Sequence, residues 1–189
     1  MRCPGSEPKV CCVEIVTARL ALRRPGPADV ETIFAIHRDP EASRHNPSDL
    51  LATPAEAEHL YSRWDDHWRR HSFGYWVVEE RESRKILGFA GLKVVRFREI
   101  EVLNLFYRLD PAAWGNGVAT EAATAVVSWA GRHLPEWPIL ARVRPDNVAS
   151  QKVAQRAGLT RAEHLDDLGE DGLDWLFVTR WPANGPSPT

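Results

Sequence analysis

The sequence predicts a mixed α/β (α+β) domain with a mostly antiparallel central sheet flanked by helices. Strand and helix signals alternate along the chain. Between residues 75 and 109 three strand-like segments follow one another with no helix between them. The last of these, Ile100–Leu109, is apolar on both faces through Val102, Leu103, Leu105, Phe106 and Tyr107. Strands joined by short turns pair antiparallel, and a strand apolar on both faces belongs inside a sheet covered on both sides. The predicted order is β-α-α-β-β-β-α-β-α-β-β, which is not that of a doubly wound parallel fold.

Size and charge bound the rest. The 189 residues suit one domain, 13–181, between loose tails at 1–12 and 182–189. Hydrophobic residues make up 43% and charged residues 26%, the balance of a globular chain. A chain of this length buries roughly 70% of its unfolded surface and needs no disulfide or metal staple. The 24 Lys+Arg and 26 Asp+Glu leave a net charge of −2, which argues against binding nucleic acid by overall charge. No run of about 18 apolar residues predicts a membrane span, and residues 1–9 lack an apolar leader core, so a cytoplasmic location is expected. Cys3, Cys11 and Cys12 lack metal-ligand spacing and read as incidental thiols, with no metal expected.

Each element has its own signal. Residues 16–23 alternate apolar and polar positions (Val16, Ala18, Leu20, Leu22), as a strand does. Pro27 and Asp29 open a helix carrying Val30, Ile33, Phe34 and Ile36, which stops near Pro40. Thr53-Pro54-Ala55-Glu56 is a capping box with proline at the first helical position. The helix it starts carries Leu60, Tyr61, Trp64 and Trp68 on one face and ends near Phe73-Gly74. Tyr75–Glu80 and residues 86–95 form a hairpin about the charged turn 81–85. A helix over 118–133 turns Ala122, Val126 and Trp129 inward, and a strand follows at Ile139–Val143. Residues 148–157 form a short helix stopped by Gly158. Residues 159–165 and 175–180 close the sheet as a last hairpin.

Two strand-to-helix turns carry the chemistry. The first runs Leu109-Asp110-Pro111-Ala112-Ala113-Trp114-Gly115-Asn116-Gly117-Val118-Ala119-Thr120-Glu121-Ala122. Such a turn aims several backbone N–H groups at one spot, at the positive end of the helix dipole, and so makes an anion site. Gly115 and Gly117 permit positive φ and close approach of a phosphate. Neither G-x-x-x-x-G-K-[ST] nor G-x-G-x-x-G after the first strand is present, so the P-loop and dinucleotide fingerprints are excluded. A plain helix-entry turn has the same look. In the second turn, Val143-Arg144-Pro145-Asp146-Asn147-Val148-Ala149-Ser150, Asn147 is a sound N-cap and Ser150 falls at the third helical position.

Taken together, the two turns resemble the GNAT acetyltransferase superfamily, over about residues 17–181. The family's pyrophosphate motif [RQ]-x-x-G-x-[GA] is matched in its last three positions by Gly117-Val118-Ala119, within Trp114-Gly115-Asn116-Gly117-Val118-Ala119. Its first position holds Trp114, so the usual Arg or Gln contact is missing there. Ala119-Thr120-Glu121-Ala122, Thr17-Ala18-Arg19-Leu20-Ala21-Leu22-Arg23, Tyr75-Trp76-Val77-Val78, Asn147-x-x-Ser150 and Ala157-Gly158-Leu159 resemble the branch of ribosomal-protein N-terminal acetyltransferases, RimJ and RimL in type.

The resemblance implies a sheet splayed between its fourth and fifth strands and an acetyl-CoA site in the opening. Backbone amides of Asn116, Gly117, Val118, Ala119 and Thr120 would hold the pyrophosphate. The Leu103 and Leu105 edge would pair with the pantetheine arm, which Asn147 would also touch, and Ser150 would return a proton to the departing thiolate. From Arg142 to Arg161 five cations face one acid, a local charge of +4 that suits an anionic cofactor. Lys152 and Arg156, one turn apart, either meet the cofactor's other phosphate or form a solvated face.

The general base stays open among Glu101 on the central strand and Glu163, Asp166, Asp167, Glu170 and Asp171. The six acids of residues 163–174, without a Lys or Arg, read either as a rim for a cationic amine or as a solvated loop. His67 and His71 sit at metal spacing without a third ligand. Trp64 and Trp68 suit a core. In this fold the first two helices and the loop 43–51 border the acceptor, which makes His45, Trp64, Trp68 and Tyr75 candidate walls. The expected activity is acetyl transfer from acetyl-CoA to a primary amine of a small molecule or peptide. The alternatives are a silent acyl-CoA-binding module and an acyltransferase using a donor such as succinyl-CoA, for which a basic residue near the thioester end would discriminate. A homodimer stays open.

Overall fold

In a computed structural model the chain is described from residue 14 to residue 181, so the cysteines and both predicted tails lie outside the described residues. The first predicted strand is broken in two. Strand β1 (Ile15–Val16) turns back onto β2 (Leu20–Arg23), with Ile15 opposite Leu22. Thr17 makes the turn: its Oγ1 accepts the Leu20 N–H at 2.9 Å, and its own N–H donates to the Leu20 carbonyl at 2.9 Å. Local threonine bonds of this kind compete with continuous strand.

Helix α1 (Val30–His37) and helix α2 (Pro54–His71) follow, the second opened by the predicted capping box of Thr53 and Glu56. Strands β3 (Tyr75–Glu80), β4 (Ile86–Phe97) and β5 (Ile100–Leu109) form an antiparallel meander. Strand β4 runs two residues past the predicted end. Arg98 and Glu99 both take positive φ, 44° and 67°, and close a two-residue hairpin without the Asn or Gly that usually announces one. Helix α3 (Val118–His133), strand β6 (Ile139–Val143) and helix α4 (Val148–Arg156) come next.

The last hairpin also departs from its prediction. Strand β7 (Thr160–Arg161) is short, and a 3-10 turn, Glu163–Leu165, follows it. Strand β8 (Asp167–Gly169) then pairs with β9 (Gly172–Val178). The Asp166 carboxylate interrupts the strand by accepting from Arg161 Nη1 at 2.7 Å and from the Leu176 N–H at 3.2 Å.

The sheet order is β1-β2-β3-β4-β5-β6-β9-β7, antiparallel except for β5 and β6. Alternation along β3 fills both sides: Trp76 and Val78 join α3 through Val118, Ala122 and Val126, while Val77 joins Ile33, Ile36 and Trp64 of α1 and α2. Strand β5 is central, as its doubly apolar pattern predicts. No described helix is long and apolar enough to cross a membrane.

Candidate active site

The parallel pair fixes the site. Strands β5 and β6 are joined only at Leu103 with Ile139 and Asn104 with Leu140. Beyond Asn104 they part, and a cleft of about 1050 Å³ opens between residues 105–109 and residues 141–150. Leu103 donates its N–H to the Pro138 carbonyl at 2.9 Å. With a side-to-side period of two, the N–H groups of Leu105 and Tyr107 face the same open edge without β6 as partner. Leu103 is therefore engaged within the protein, contrary to its expected pairing with a cofactor, and the open edge begins at Leu105.

One end of the cleft is main chain. Gly115 and Gly117 have φ of 77° and 75°, and Gly117 is the N-cap of α3 with no side-chain cap bond. A Cβ built on Gly115 would meet nothing within 4 Å, so the turn is open to a ligand. Val118, Ala119 and Thr120 present their N–H groups there and line the cleft with Trp114 and Gly117. Asn116 does not line it: its carbonyl accepts from Arg19 Nη1 at 3.0 Å, and its Nδ2 donates to the Trp114 carbonyl at 3.2 Å. Arg19 also pairs with Glu121 at 2.6 Å, and Thr17 Oγ1 donates to Glu121 at 2.6 Å. The first hairpin thus clamps the turn from outside. Trp114, where the family motif has Arg or Gln, folds back to donate its indole N–H to the Leu109 carbonyl at 3.2 Å.

Helix α4 supplies the facing wall. Asn147 caps it by accepting from the Ser150 N–H at 3.0 Å. Ser150 lines the cleft, and its Oγ lies 2.6 Å from the Tyr107 hydroxyl, which also donates to the Ser150 carbonyl at 2.9 Å. Burial pushes the Tyr107 phenol up to about 12, so it holds its proton at neutral pH. Sequence reading missed this partner because Tyr107 looked like one more apolar residue of a buried strand. Lys152 and Arg156 are exposed on the cleft rim and form no ion pair among the described residues. The rest of the +4 is neutralised. Arg142 and Arg144 hold the buried Asp174 at 2.9 and 3.3 Å, Arg142 also meets Asp167 at 3.2 Å, and Arg161 holds Asp166. The acid-rich stretch is largely the counter-charge of the basic one, neither a free rim nor a free loop.

The opposite wall is built of side chains. His45 lines the cleft, with Nδ1 3.3 Å from Asp146. Ser48 donates its N–H and hydroxyl to Asp171 at 3.0 and 2.7 Å. Arg108 and Asp49, both missed in the sequence, pair at 2.8 Å. Of the candidate bases, Glu170 and Asp171 face the cleft, whereas Glu163, Asp166 and Asp167 do not. Glu101 is exposed and lies before the joined residues of β5, away from the opening. Trp64 and Trp68 are 5% exposed and belong to the core, one against Phe89 and Tyr75, the other donating its indole N–H to the Tyr75 carbonyl. Tyr75 is stacked on Phe106 at 4.5 Å and lies behind the cleft wall, in an adjoining cavity of about 280 Å³ that shares Asn104. His67 uses both ring nitrogens on backbone groups, Phe73 O at 2.9 Å and Val94 N at 3.0 Å.

The acetyltransferase (GNAT) domain model matches residues 19–160, and the chain belongs to that family. A Bacillus subtilis relative described as the uncharacterized N-acetyltransferase YoaA is 26% identical over 147 residues, covering 77% of this chain and 81% of its own. A GNAT-family structure from Bordetella pertussis superposes with a TM-score of 0.76 at 20% identity, covering 88% of this chain and 99% of its own. RimL, a ribosomal L7/L12 α-N-protein acetyltransferase in complex with coenzyme A, superposes with a TM-score of 0.70 at 17% identity, covering 87% and 96%. The protein is an N-acetyltransferase in type.

Proposed function

We infer that the cleft binds acetyl-CoA and transfers its acetyl group to a primary amine by direct attack within a ternary complex. The observation that carries this reading is the convergence of an uncapped helix end, an open strand edge and a hydroxyl on one cleft. The Val118, Ala119 and Thr120 amides and the positive end of α3 would hold the pyrophosphate. Lys152 and Arg156 would meet the other phosphate, as isolated cations at the rim. The Leu105 and Tyr107 edge would pair with the pantetheine arm, beside the capped end of α4 at Asn147.

The amine nitrogen attacks the thioester carbon, the carbon–sulfur bond breaks, and the sulfur needs a proton as it leaves. Ser150 would give that proton and recover one from solvent, with the Tyr107 hydroxyl 2.6 Å away as its hydrogen-bond partner. The attacking nitrogen would lose one proton to an acid of the side-chain wall; of the acids singled out in the sequence, Glu170 and Asp171 line the cleft. A strand amide such as that of Leu105 would polarise the carbonyl. Holding both reactants in line supplies much of the rate, and the proton donor roughly 10²–10⁴-fold.

The test is thiol release from acetyl-CoA across a panel of amines and N-terminal peptides. Release is expected with at least one amine, with kcat reduced about 100-fold in Ser150→Ala and the acetyl-CoA KM nearly unchanged. No binding of acetyl-CoA, or binding with no release for any amine, would overturn the reading.

A further inference from the structure

The side-chain wall carries a charge that the acetyl-transfer reading does not use. Arg108 projects from β5 on the face opposite α3, beside Phe106 (5.7 Å from guanidinium carbon to ring centre). Arginines are rarely this enclosed: it is 7% exposed, yet it lines the cleft. Its Nη2 donates to Asp49 at 2.8 Å. Its Nη1 is shut off from solvent and has no hydrogen-bond acceptor. A buried cationic donor without an acceptor is costly, and such a group asks for a partner that the chain does not supply.

Asp49 is a weak occupant. It is exposed, with 54% of its side chain in solvent, on the short 3-10 turn Pro47–Asp49, and it takes only one of the two terminal nitrogens. A planar carboxylate fits the edge formed by Nη1 and Nη2 with two parallel bonds, which is the geometry guanidinium groups favour. Apart from Asp49, the immediate surroundings do not oppose the charge. His37, the nearest buried titratable group on α1, is held neutral by its burial and by Arg108 itself. The Phe106 ring beside the guanidinium is apolar and offers it no acceptor. Of the other acids on this wall, Asp171 accepts from Ser48 and Asp146 meets His45.

We propose that Arg108 binds a carboxylate carried by one of the two reactants, exchanging it for Asp49. The carboxylate belongs either to the acceptor, as an amino acid whose amine is acylated, or to the free end of a dicarboxylic acyl chain on CoA. The assignment rests on the acyltransferase reading for its setting, but the binding site is tested without turnover.

Two paired comparisons test it by calorimetry on the whole chain. In one, CoA-loaded protein is titrated with the common amino acids and their amides; in the other, free protein is titrated with succinyl-CoA and acetyl-CoA. The wild-type chain is expected to favour the carboxylate-bearing member of one pair by tenfold or more. Preference in the first pair assigns the carboxylate to the acceptor, and preference in the second to the donor. Arg108→Gln is expected to bring that ratio within about twofold. Because Arg108→Gln alters a buried residue, Asp49→Asn provides a second arm. It removes an exposed competitor and is expected to raise the same ratio about threefold.

A wild-type chain with no preference in either pair overturns the proposal. So does a preference that survives in folded Arg108→Gln, or one that fails to rise in Asp49→Asn. Thiol release with carboxylate-free amines is measured in parallel. Absence of release from every amine tried, amino acids included, with an intact carboxylate preference rejects the acyltransferase reading and keeps the site; release without the preference does the reverse.

Discussion

The two walls of the cleft are made of different material. The wall at α3 is backbone: two glycines with positive φ, an uncapped helix end and a strand edge left open where β6 diverges. All of its polar groups come from one segment of the chain, residues 105–120. The facing wall is side chain: His45 and Ser48 from the loop after α1, Arg108 from β5, and Asp171 from the β8–β9 turn. Those residues come from three separate segments, the outermost more than one hundred positions apart and tied by the bond of Ser48 to Asp171. A backbone site tolerates sequence change as long as the turn conformation is kept, so it suits the invariant part of a reaction. A side-chain site changes with each substitution, so it suits the part that differs between family members.

The contrast is broken most severely at Gly117. Gly117→Val places a β-branched residue at a φ of 75°, at the helix end that faces the cleft. The expected result is acetyl-CoA affinity weakened about 30-fold or more in calorimetry, through strain and blocked approach. An affinity within threefold of wild type would mean that the glycine turn is not the anion site. A milder pair separates the walls. Lys152→Ala or Arg156→Ala is expected to raise the acetyl-CoA KM about fivefold at low salt and less at high salt, with the amine KM unmoved. Asp171→Asn is expected to lower kcat/KM for the amine at least threefold and leave the acetyl-CoA KM alone. Crossed effects in steady-state kinetics would show that the two walls do not act separately.

The smallest effect is a pH slope in stability. His37 is held to about 3 by its burial and then by Arg108, and His67 to about 4 by its burial and then by His71, against an ordinary value of 6.5. In this interval the unfolded chain binds more protons than the folded one, so stability rises with pH. The contribution is complete above about 6.5 and is lost as the pH falls toward 4 and then 3. Melting temperatures at pH 7 and pH 5 check this: the drop should shrink in His37→Gln, whatever the variant's absolute stability. An unchanged slope would place the acid sensitivity elsewhere.

What was legible in the sequence follows the same division. The capping box of Thr53 and Glu56, the glycine turn, the Asn147 cap and the doubly apolar β5 are local patterns, and each appears where it was read. Glu101 was a candidate only because it sits on the central strand. It lies outside the cleft because the strands stay joined at Leu103 and Asn104. Trp64 and Trp68 suit both a core and a pocket wall, because aromatic faces serve either, and here the core took them. The basic and acidic segments, 142–161 and 163–174, looked like two opposed fields. Folding lays them side by side as β6, β8 and β9, and Arg142, Arg144 and Arg161 cancel against Asp174 and Asp166.

The sequence by itself determined the family architecture, the helix and most strand positions, and the turn that can receive a phosphate. These depend on hydrophobic period, caps and glycine, whose effects act within a few residues. Only the tertiary structure decided which charges survive at the cleft, that Tyr107 supports Ser150, and that Arg108 is enclosed with one donor unmet. Charge and hydrogen-bonding capacity are written in the residues, but whether they are spent depends on neighbours that only the packed sheet brings within about 3 Å.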